Sequence, residues 1–99
     1  MRLNSEQLAD LKRLATESFG ADAVVRVFGS RVDDVARGGD VDILVEVSTP
    51  IERPALAAAR LAARMSRALL GRNVDVVLRA PNLVVHPIHD IARRRGQRL

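Results

Sequence analysis

Two short apolar runs separated by a long helical stretch limit the possible folds of this chain more than any other feature. Residues 40–47 and 74–78 are rich in valine, isoleucine and leucine and have the length of strands. Between them, Leu61 and Met65 belong to an apolar stripe with helical spacing over about residues 50–70. A helix that joins two strands of one sheet is the usual right-handed crossover of a parallel pair. The pattern therefore predicts a βαβ unit.

The ends of the central helix carry recognisable signals. Thr49 can cap the helix, Pro50 suits its first position, and Glu52 completes a capping box. Gly71 follows the last apolar position and is a typical stop. The sequence thus predicts a helix that starts next to Thr49, runs to about Leu70 and ends at Gly71.

The remaining segments predict two more helices and one more strand. Residues 4–19 have helical periodicity, with Asn4 or Ser5 as the cap and Gly20 as the stop. Residues 23–28 form a third strand, which ends abruptly before a polar loop over 31–39. A last helix is expected over about 87–95, after Pro87, with Gly96 as its stop.

These elements predict one domain of the α/β (α+β) class over residues 1–99. We expect a small mixed sheet of three to four strands with helices mainly on one face. A chain of 99 residues can bury one modest core. Phe19 and Phe28 are the two aromatic residues, so that core must consist of valine, leucine, isoleucine and alanine.

Composition excludes several classes of site. The chain has no cysteine, so it can form neither a disulfide framework nor a thiolate metal site, and it has no cysteine nucleophile. Its first ten residues lack the apolar centre of a signal peptide, and no apolar run approaches the length of a membrane span. We therefore expect a cytoplasmic protein without a membrane partner.

The basic balance of the chain has two interpretations. The net charge is +4, and arginine is strongly preferred over lysine. Such a surface attracts anions, including nucleotides and nucleic acid. Codon usage in a genome rich in G and C would produce the same bias, and aromatic platforms for stacking on single strands are missing. The second interpretation is favoured, and a nucleic-acid partner is not expected.

Asp40 and Asp42 are the first candidate site residues. Side chains two positions apart on a strand point to the same face, with Cα atoms roughly 7 Å apart. Two carboxylates that close repel each other and favour a compensating cation. Hard divalent ions such as Mg²⁺ prefer carboxylate oxygens and leave positions open for phosphate. The alternative is that one aspartate faces solvent or caps a turn.

Two further elements are expected to converge on this pair. Gly29 and Ser30 end a strand before a short helical or loop segment, an arrangement of backbone N–H groups and a hydroxyl that can hold phosphate. Asp75 lies near the start of its strand, as Asp42 does. Parallel neighbours with aligned starts would place Asp75 beside the Asp-x-Asp pair. An antiparallel preceding strand would bring Gly29 and Ser30 to the same end.

At these residues the sequence resembles the nucleotidyltransferase superfamily related to DNA polymerase beta, and within it the minimal nucleotidyltransferase family. The resemblance covers about residues 23–78. Its hallmarks are Gly-Ser, a spacer, Asp-x-Asp on a strand and a third aspartate on a later strand. In this chain they read Phe28-Gly29-Ser30-Arg31, then Gly39-Asp40-Val41-Asp42-Ile43-Leu44-Val45, then Val74-Asp75-Val76-Val77.

The resemblance implies a role for each matching residue. Asp40, Asp42 and Asp75 would be the catalytic residues and would bind two Mg²⁺ ions that bridge a nucleoside triphosphate, with ATP favoured. Gly29, Ser30 and Arg31 would hold its phosphates. Gly39 departs from the serine that many members carry there. Asp33 and Asp34 add negative charge near the phosphate turn, which Arg31 and Arg37 could offset, although solvated loop charges are the alternative.

The resemblance also implies partners. Minimal members often pair with a HEPN-type toxin as its antitoxin, and some transfer AMP to it, so a protein acceptor is favoured over self-association alone. A small-molecule acceptor, as in antibiotic-modifying relatives, is a second enzymatic option. A catalytically silent binding module of the same fold is the rival.

The end of the chain holds two weaker signals. The group His86, His89 and Asp90 could be a metal cluster, but capping or packing of the last helix is favoured because Pro87 interrupts it. Four arginines form a basic tail, which we interpret as a solvated helix end rather than a nucleic-acid contact: Arg93, Arg94, Arg95 and Arg98.

Overall fold

A computed structural model describes residues 3–28, 41–83 and 96–99 of the chain. The predicted loop over 31–39 and the predicted helix over 87–95 lie outside these ranges. The described elements, in chain order, are α1 (Ser5–Phe19), β1 (Val24–Phe28), β2 (Val41–Glu46), α2 (Pro54–Ala68), β3 (Val74–Arg79) and β4 (Gln97–Arg98).

The strands form one mixed sheet in the order β3-β2-β1-β4. β1 is antiparallel to both β2 and β4, whereas β2 and β3 are parallel. The α2 helix joins the parallel pair, as the sequence pattern predicts. The predicted fold class, a small mixed sheet with helices, is therefore confirmed.

One face of the sheet packs against both helices. Because side chains alternate along a strand, every second residue of the sheet lies on this face. The helices contribute stripes of buried residues at i, i+3 and i+4 spacing. The buried side chains of this core include Leu11, Leu14 and Ala15 from α1, Val25 and Val27 from β1, Val41, Ile43 and Val45 from β2, Leu61, Met65 and Leu69 from the α2 segment, and Val74 and Leu78 from β3.

The opposite face of the sheet carries a smaller apolar cluster and an ion-pair ladder. Phe28 and Leu44 are buried there, and Val77 packs against them. Beyond this cluster, Glu46 lies between two arginines of the neighbouring strands. Its carboxylate contacts Arg26 Nε at 3.1 Å and Arg79 Nη1 at 3.8 Å. Cross-strand pairs of opposite charge stabilise a sheet and favour this register.

The α1 helix begins and ends as its sequence predicts. The Asn4 side chain accepts a hydrogen bond from the Gln7 N–H at 2.8 Å, and the Gln7 side chain accepts one from the Asn4 N–H at 2.9 Å. This reciprocal pair is a capping box. Gly20 closes the helix with φ 99, and its N–H donates to the Thr16 carbonyl.

Glu17 connects the two helices. Its carboxylate accepts from Arg64 Nη2 of α2 at 2.7 Å and from Arg13 Nη1 of α1 at 3.0 Å. These hydrogen bonds, that of Arg64 first, hold the pKa of Glu17 below its ordinary value. The three side chains are exposed to solvent, so the pairs orient the helices more than they stabilise them.

The start of α2 differs from the prediction. The helix begins at Pro54, not beside Thr49, and its N-cap residue Arg53 makes no side-chain capping bond. The reason is the second proline: Pro54 disfavours the helical conformation of Arg53, which has φ −129 and ψ 74. A helix started at Pro50 could not continue through Arg53, so Pro54 takes the first helical position instead.

Asn82 holds the segment before α2. Its side-chain amide accepts from the Ile51 N–H at 3.0 Å and donates to the Ile51 carbonyl at 2.8 Å. This pair of bonds satisfies both backbone groups of a residue whose side chain is buried in the core. The amide thus joins the turn after β3 to the connection between β2 and α2.

The end of α2 is a Schellman motif around Leu70. The Gly71 N–H donates to the Ser66 carbonyl at 2.8 Å, and the Leu70 N–H donates to the Arg67 carbonyl at 3.3 Å. Leu70 has φ 59 and Gly71 has φ 90. The predicted stop at Gly71 therefore contributes a hydrogen bond, but a leucine occupies the left-handed position where glycine is usual.

The C-terminal residues correct the interpretation of Arg98. Arg98 belongs to β4 rather than to a solvated helix end. In the antiparallel ladder with β1, Arg98 is opposite Arg26 and Gln97 is opposite Val27. The Leu99 N–H extends the ladder by donating to the Val25 carbonyl at 2.8 Å. A strand of two residues has no periodicity to detect, so pairing with β1 decides its structure.

Neither described helix has the character of a membrane span. α1 and α2 contain 15 residues each, and both carry several charged side chains. Across the ranges given above, no helix is long and apolar enough to cross a lipid bilayer.

We predict that replacing Leu70 with glycine stabilises the protein. The left-handed conformation costs a residue with a Cβ atom about 1 kcal/mol, and glycine does not pay this cost. Leu70→Gly should therefore raise the free energy of unfolding by about 1 kcal/mol, measured by urea denaturation. Leu70→Ala, which keeps the Cβ atom, is the matched control, and equal stability of these two variants would contradict the argument.

A second prediction concerns Asn82. Asn82→Ala leaves the N–H and the carbonyl of Ile51 without their partner and should lower the free energy of unfolding by about 1–3 kcal/mol. Asn82→Asp keeps the acceptor for the N–H but removes the donor to the carbonyl, so its loss should be smaller near neutral pH. Wild-type stability of Asn82→Ala in the same denaturation experiment would refute a structural role for this amide.

Candidate functional site

Asp42 and Asp75 are directly opposite each other in the parallel ladder of β2 and β3. On the other side of β2, Phe28 is opposite Asp42 in the antiparallel ladder with β1. Neighbouring strands are roughly 4.8 Å apart, so one row across three strands brings these residues together. The predicted alignment of Asp75 with Asp42 is therefore what the register shows.

Both aspartates lie on the sheet face opposite the helices. Their sequence neighbours Val41 and Val74 point into the helix-facing core, so alternation directs Asp42 and Asp75 to the other side. Asp42 is half-buried on the inner strand β2, and Asp75 is exposed on β3. Asp75 is thus accessible to a ligand that approaches this face, and Asp42 lies beside it on the neighbouring strand.

A hydrogen bond between the strand starts holds the row in register. The Val41 N–H, one position before Asp42, donates to the carbonyl of Asn73, two positions before Asp75, at 2.9 Å. A slip of one residue would turn Asp42 or Asp75 towards the apolar core. The buried side chains on both faces therefore enforce the position of the carboxylates.

An apolar floor supports the aspartate row. Phe28 is itself part of the row, and Leu44 and Val77 form the next row of the same face. Leu44 is fully buried and Phe28 is 5% exposed. Apolar neighbours on one side lower the local dielectric constant, which strengthens the attraction between these carboxylates and a cation.

The charges on this face are divided into two zones. Glu46 lies two positions along β2 beyond Leu44 and is neutralised by Arg26 and Arg79, as described for the ladder. Asp42 and Asp75 lie at the other end of the face, in the row next to that of Leu44 and Val77, in which Arg26 is opposite Leu44. This separation makes Glu46 a structural acid and leaves the aspartate row as the candidate cation site.

The remaining predicted site residues lie outside the described ranges. These are Gly29, Ser30, Arg31 and Asp40, together with Arg37 and the His86, His89 and Asp90 group. In residues 3–28, 41–83 and 96–99, no three histidine, cysteine, aspartate or glutamate side chains are grouped closely enough to hold a metal ion. The described part of the site is therefore a pair of carboxylates.

The donor chemistry of this pair fits a hard divalent cation. Both residues offer carboxylate oxygens, which Mg²⁺ prefers, and two of them from adjacent strands leave several coordination positions for phosphate or water. Two like charges in register also favour a bound cation between them. The residues present therefore fit the metal that the sequence predicts, without showing how many ions bind.

Two features of the site go beyond the sequence prediction. The apolar floor of Phe28, Leu44 and Val77 was not singled out, although its members alternate with core residues in the printed sequence. The neutralisation of Glu46 was also missed. Its signal was weak, because Arg26 and Arg79 become its neighbours only through strand pairing.

One comparison with known proteins identifies the family of the chain. A protein-family model described as a nucleotidyltransferase domain matches residues 6–96, which is most of the chain. No curated protein and no solved structure matches the chain.

Proposed function

We propose that this chain, which belongs to the nucleotidyltransferase domain family, transfers a nucleoside monophosphate from a nucleoside triphosphate to a hydroxyl group. ATP is the favoured donor. The observation that carries the proposal is the register of Asp42 opposite Asp75 on one open face of the sheet. This register brings together two carboxylates that are 33 positions apart in the sequence. A pair of carboxylates that can bind a cation is what a nucleotidyltransferase domain would need.

In the proposed reaction, the acceptor oxygen forms a bond to the α-phosphorus of the nucleotide. The bond from that phosphorus to the oxygen bridging to the β-phosphate breaks, and pyrophosphate leaves. The acceptor hydroxyl loses its proton, and the exposed carboxylate of Asp75 is the proposed group that receives it. Asp42 is less exposed, which suits a role in binding rather than in proton transfer.

Asp42 and Asp75, with Asp40, would hold Mg²⁺, and two ions are expected. When bound, the metal supplies neutralisation of the triphosphate and stabilisation of the attacking and leaving oxygens. The part played by this chain is to fix the carboxylates by strand register before the substrate arrives. Preorganised charges of this kind need no rearrangement during the reaction.

Chain connectivity supports a phosphate-binding role for Gly29 and Ser30. Gly29 is bonded to Phe28, the last residue of β1, which lies opposite Asp42. Consecutive Cα atoms are 3.80 Å apart. This short covalent distance is compatible with the proposed role of Gly29 and Ser30 in holding the terminal phosphates. Asp40 directly precedes Val41, the first residue of β2.

We propose a protein as the acceptor, and a HEPN-type toxin neutralised by AMP transfer is the favoured candidate. The toxin–antitoxin assignment comes from the resemblance to minimal nucleotidyltransferases. Exposure of Asp75 on its strand supports an acceptor of large size, because a macromolecule can reach an exposed carboxylate without entering a pocket.

The first functional prediction is that nucleotide binding depends on Asp42. Isothermal titration with ATP and Mg²⁺ should detect binding to the wild-type protein and an affinity lower by at least about tenfold for Asp42→Asn. Asp22→Asn, the same chemical change in the exposed turn before β1, is the matched control and should bind as the wild type does. Equal affinity of Asp42→Asn and wild type would disprove the metal-binding role.

The second functional prediction is that the label of α-³²P-ATP moves to an acceptor. Incubation with Mg²⁺ and the protein encoded by the adjacent gene should label that protein and release pyrophosphate. Asp75→Asn should lower the rate by on the order of a hundredfold or more, because a transition-state interaction is lost. If none of the four common nucleoside triphosphates labels any acceptor, the chain is a silent binding module of this fold.

A further inference from the structure

The solvent-facing side of α2 carries an unusual row of residues. Positions 56, 60, 63 and 67 follow i, i+4, i+7, i+11 spacing, which places them on one side of a helix. Ala59 lies beside them, Leu70 follows the end of α2, and all six are exposed. We call this set the outer row of α2: Leu56, Ala59, Arg60, Ala63, Arg67 and Leu70.

The outer row contains the large exposed apolar side chains of the described part of the protein. Leu56 is 40% exposed, and Leu70 is 85% exposed. A single exposed leucine needs no explanation. Two at opposite ends of one row, with alanines between them that allow close approach, form a surface suited to another helix.

Leu70 is also held in a costly conformation. Its φ of 59 belongs to the left-handed region, where a leucine pays a penalty that glycine would avoid. Its side chain recovers nothing from burial, because it is almost fully exposed. A strained, exposed apolar residue that does not stabilise its own fold points to a use outside the fold.

The charges of the outer row indicate the chemistry of a partner. α2 contains no acidic residue. Arg64, on another side of the helix, is paired with Glu17, whereas Arg60 and Arg67 form no ion pair with any residue that the structure describes. The row is therefore apolar at its ends and cationic between them. Two copies that met through this row would place arginines against arginines, which disfavours a symmetric dimer.

The outer row ends close to the start of β3, on the side of the sheet opposite the aspartate row. A crossover helix runs against its strands, so the end of α2 lies at the edge of the sheet where β2 and β3 begin. Only residues 71–74 separate Leu70 from Asp75 in the sequence. In this turn the Asn73 carbonyl accepts a hydrogen bond from the Val41 N–H. A protein bound along the row would reach the carboxylates only by extending around the end of the sheet where β2 and β3 begin.

We propose that the outer row of α2 docks an acidic amphipathic helix of the acceptor protein, with Leu70 as the apolar anchor and Arg60 and Arg67 as the partners of its carboxylates. The identification of the docked protein as an acceptor rests on the proposed function, whereas the docking itself does not. Phosphate of nucleic acid would pair with the arginines but would gain nothing from the two leucines.

The test uses two synthetic peptides of about 21 residues, long enough to be helical. Each carries a leucine–alanine stripe, flanked by glutamate in one peptide and by lysine in the other. Amide NMR spectra of the ¹⁵N-labelled protein should show shifts in α2 with the glutamate peptide only. Affinity should fall at least about tenfold in Arg60→Glu with Arg67→Glu. Lys12→Glu with Arg98→Glu, which makes the same charge change elsewhere, should bind as the wild type does.

Leu70→Gly gives the sharpest result, because its predicted effects have opposite signs. It should stabilise the fold and yet weaken binding of the glutamate peptide by about fivefold to tenfold. Unchanged peptide affinity in Leu70→Gly and in the arginine double variant overturns the docking surface. Tighter binding of a DNA duplex than of the peptide, or self-association lost in the arginine variant, also overturns it.

Asp42→Asn separates failure of this inference from failure of the proposed function. This variant should bind the glutamate peptide normally while losing ATP affinity. Normal ATP binding by the wild type without peptide binding rejects the docking surface alone. Peptide binding without ATP binding rejects the proposed reaction alone.

Discussion

The parallel pairing of β2 with β3 is the interaction on which the candidate site depends. It aligns the starts of two strands that are far apart in the sequence and places Asp42 opposite Asp75. The bond from Val41 to Asn73 fixes that alignment at its first rung. Because alternation couples the two faces, burial of the valines next to each aspartate holds both carboxylates on the open side.

The α2 crossover makes this pairing possible. The chain is held by side-chain hydrogen bonds before the helix and by a backbone motif after it. Before the helix, the Asn82 amide binds both backbone groups of Ile51, so a buried residue outside any strand keeps its hydrogen bonds. After the helix, a Schellman motif turns the chain directly into β3, at the cost of a left-handed leucine. The first arrangement satisfies buried backbone groups, whereas the second leaves the apolar side chain of Leu70 in solvent.

The sheet face opposite the helices carries an acid that pairs with arginines at one end and the candidate cation ligands at the other. Glu46 is matched by two arginines from neighbouring strands, whereas the aspartates lie beyond an apolar floor at the end where β2 and β3 begin. Because the chain belongs to the nucleotidyltransferase domain family, the aspartates rather than Glu46 are the candidate cation ligands. The register of Asp42 opposite Asp75 supports the proposal that this pair, rather than Glu46, binds the cation of a nucleotide.

The two described helices, the three longer strands and the facing aspartates could be predicted from the sequence, since each depends on local periodicity or on the geometry of a βαβ unit. It placed the start of α2 wrongly, because the capping signals at Thr49 and Pro50 are overridden by Pro54 and by the Asn82 contact across 31 residues. The phosphate-binding role of Gly29 and Ser30 stays a prediction. The place of β4, the neutralisation of Glu46 and the exposure of Leu70 become visible only in the folded chain. Each of these depends on which strands and turns become neighbours, and a local pattern of residue types cannot encode that.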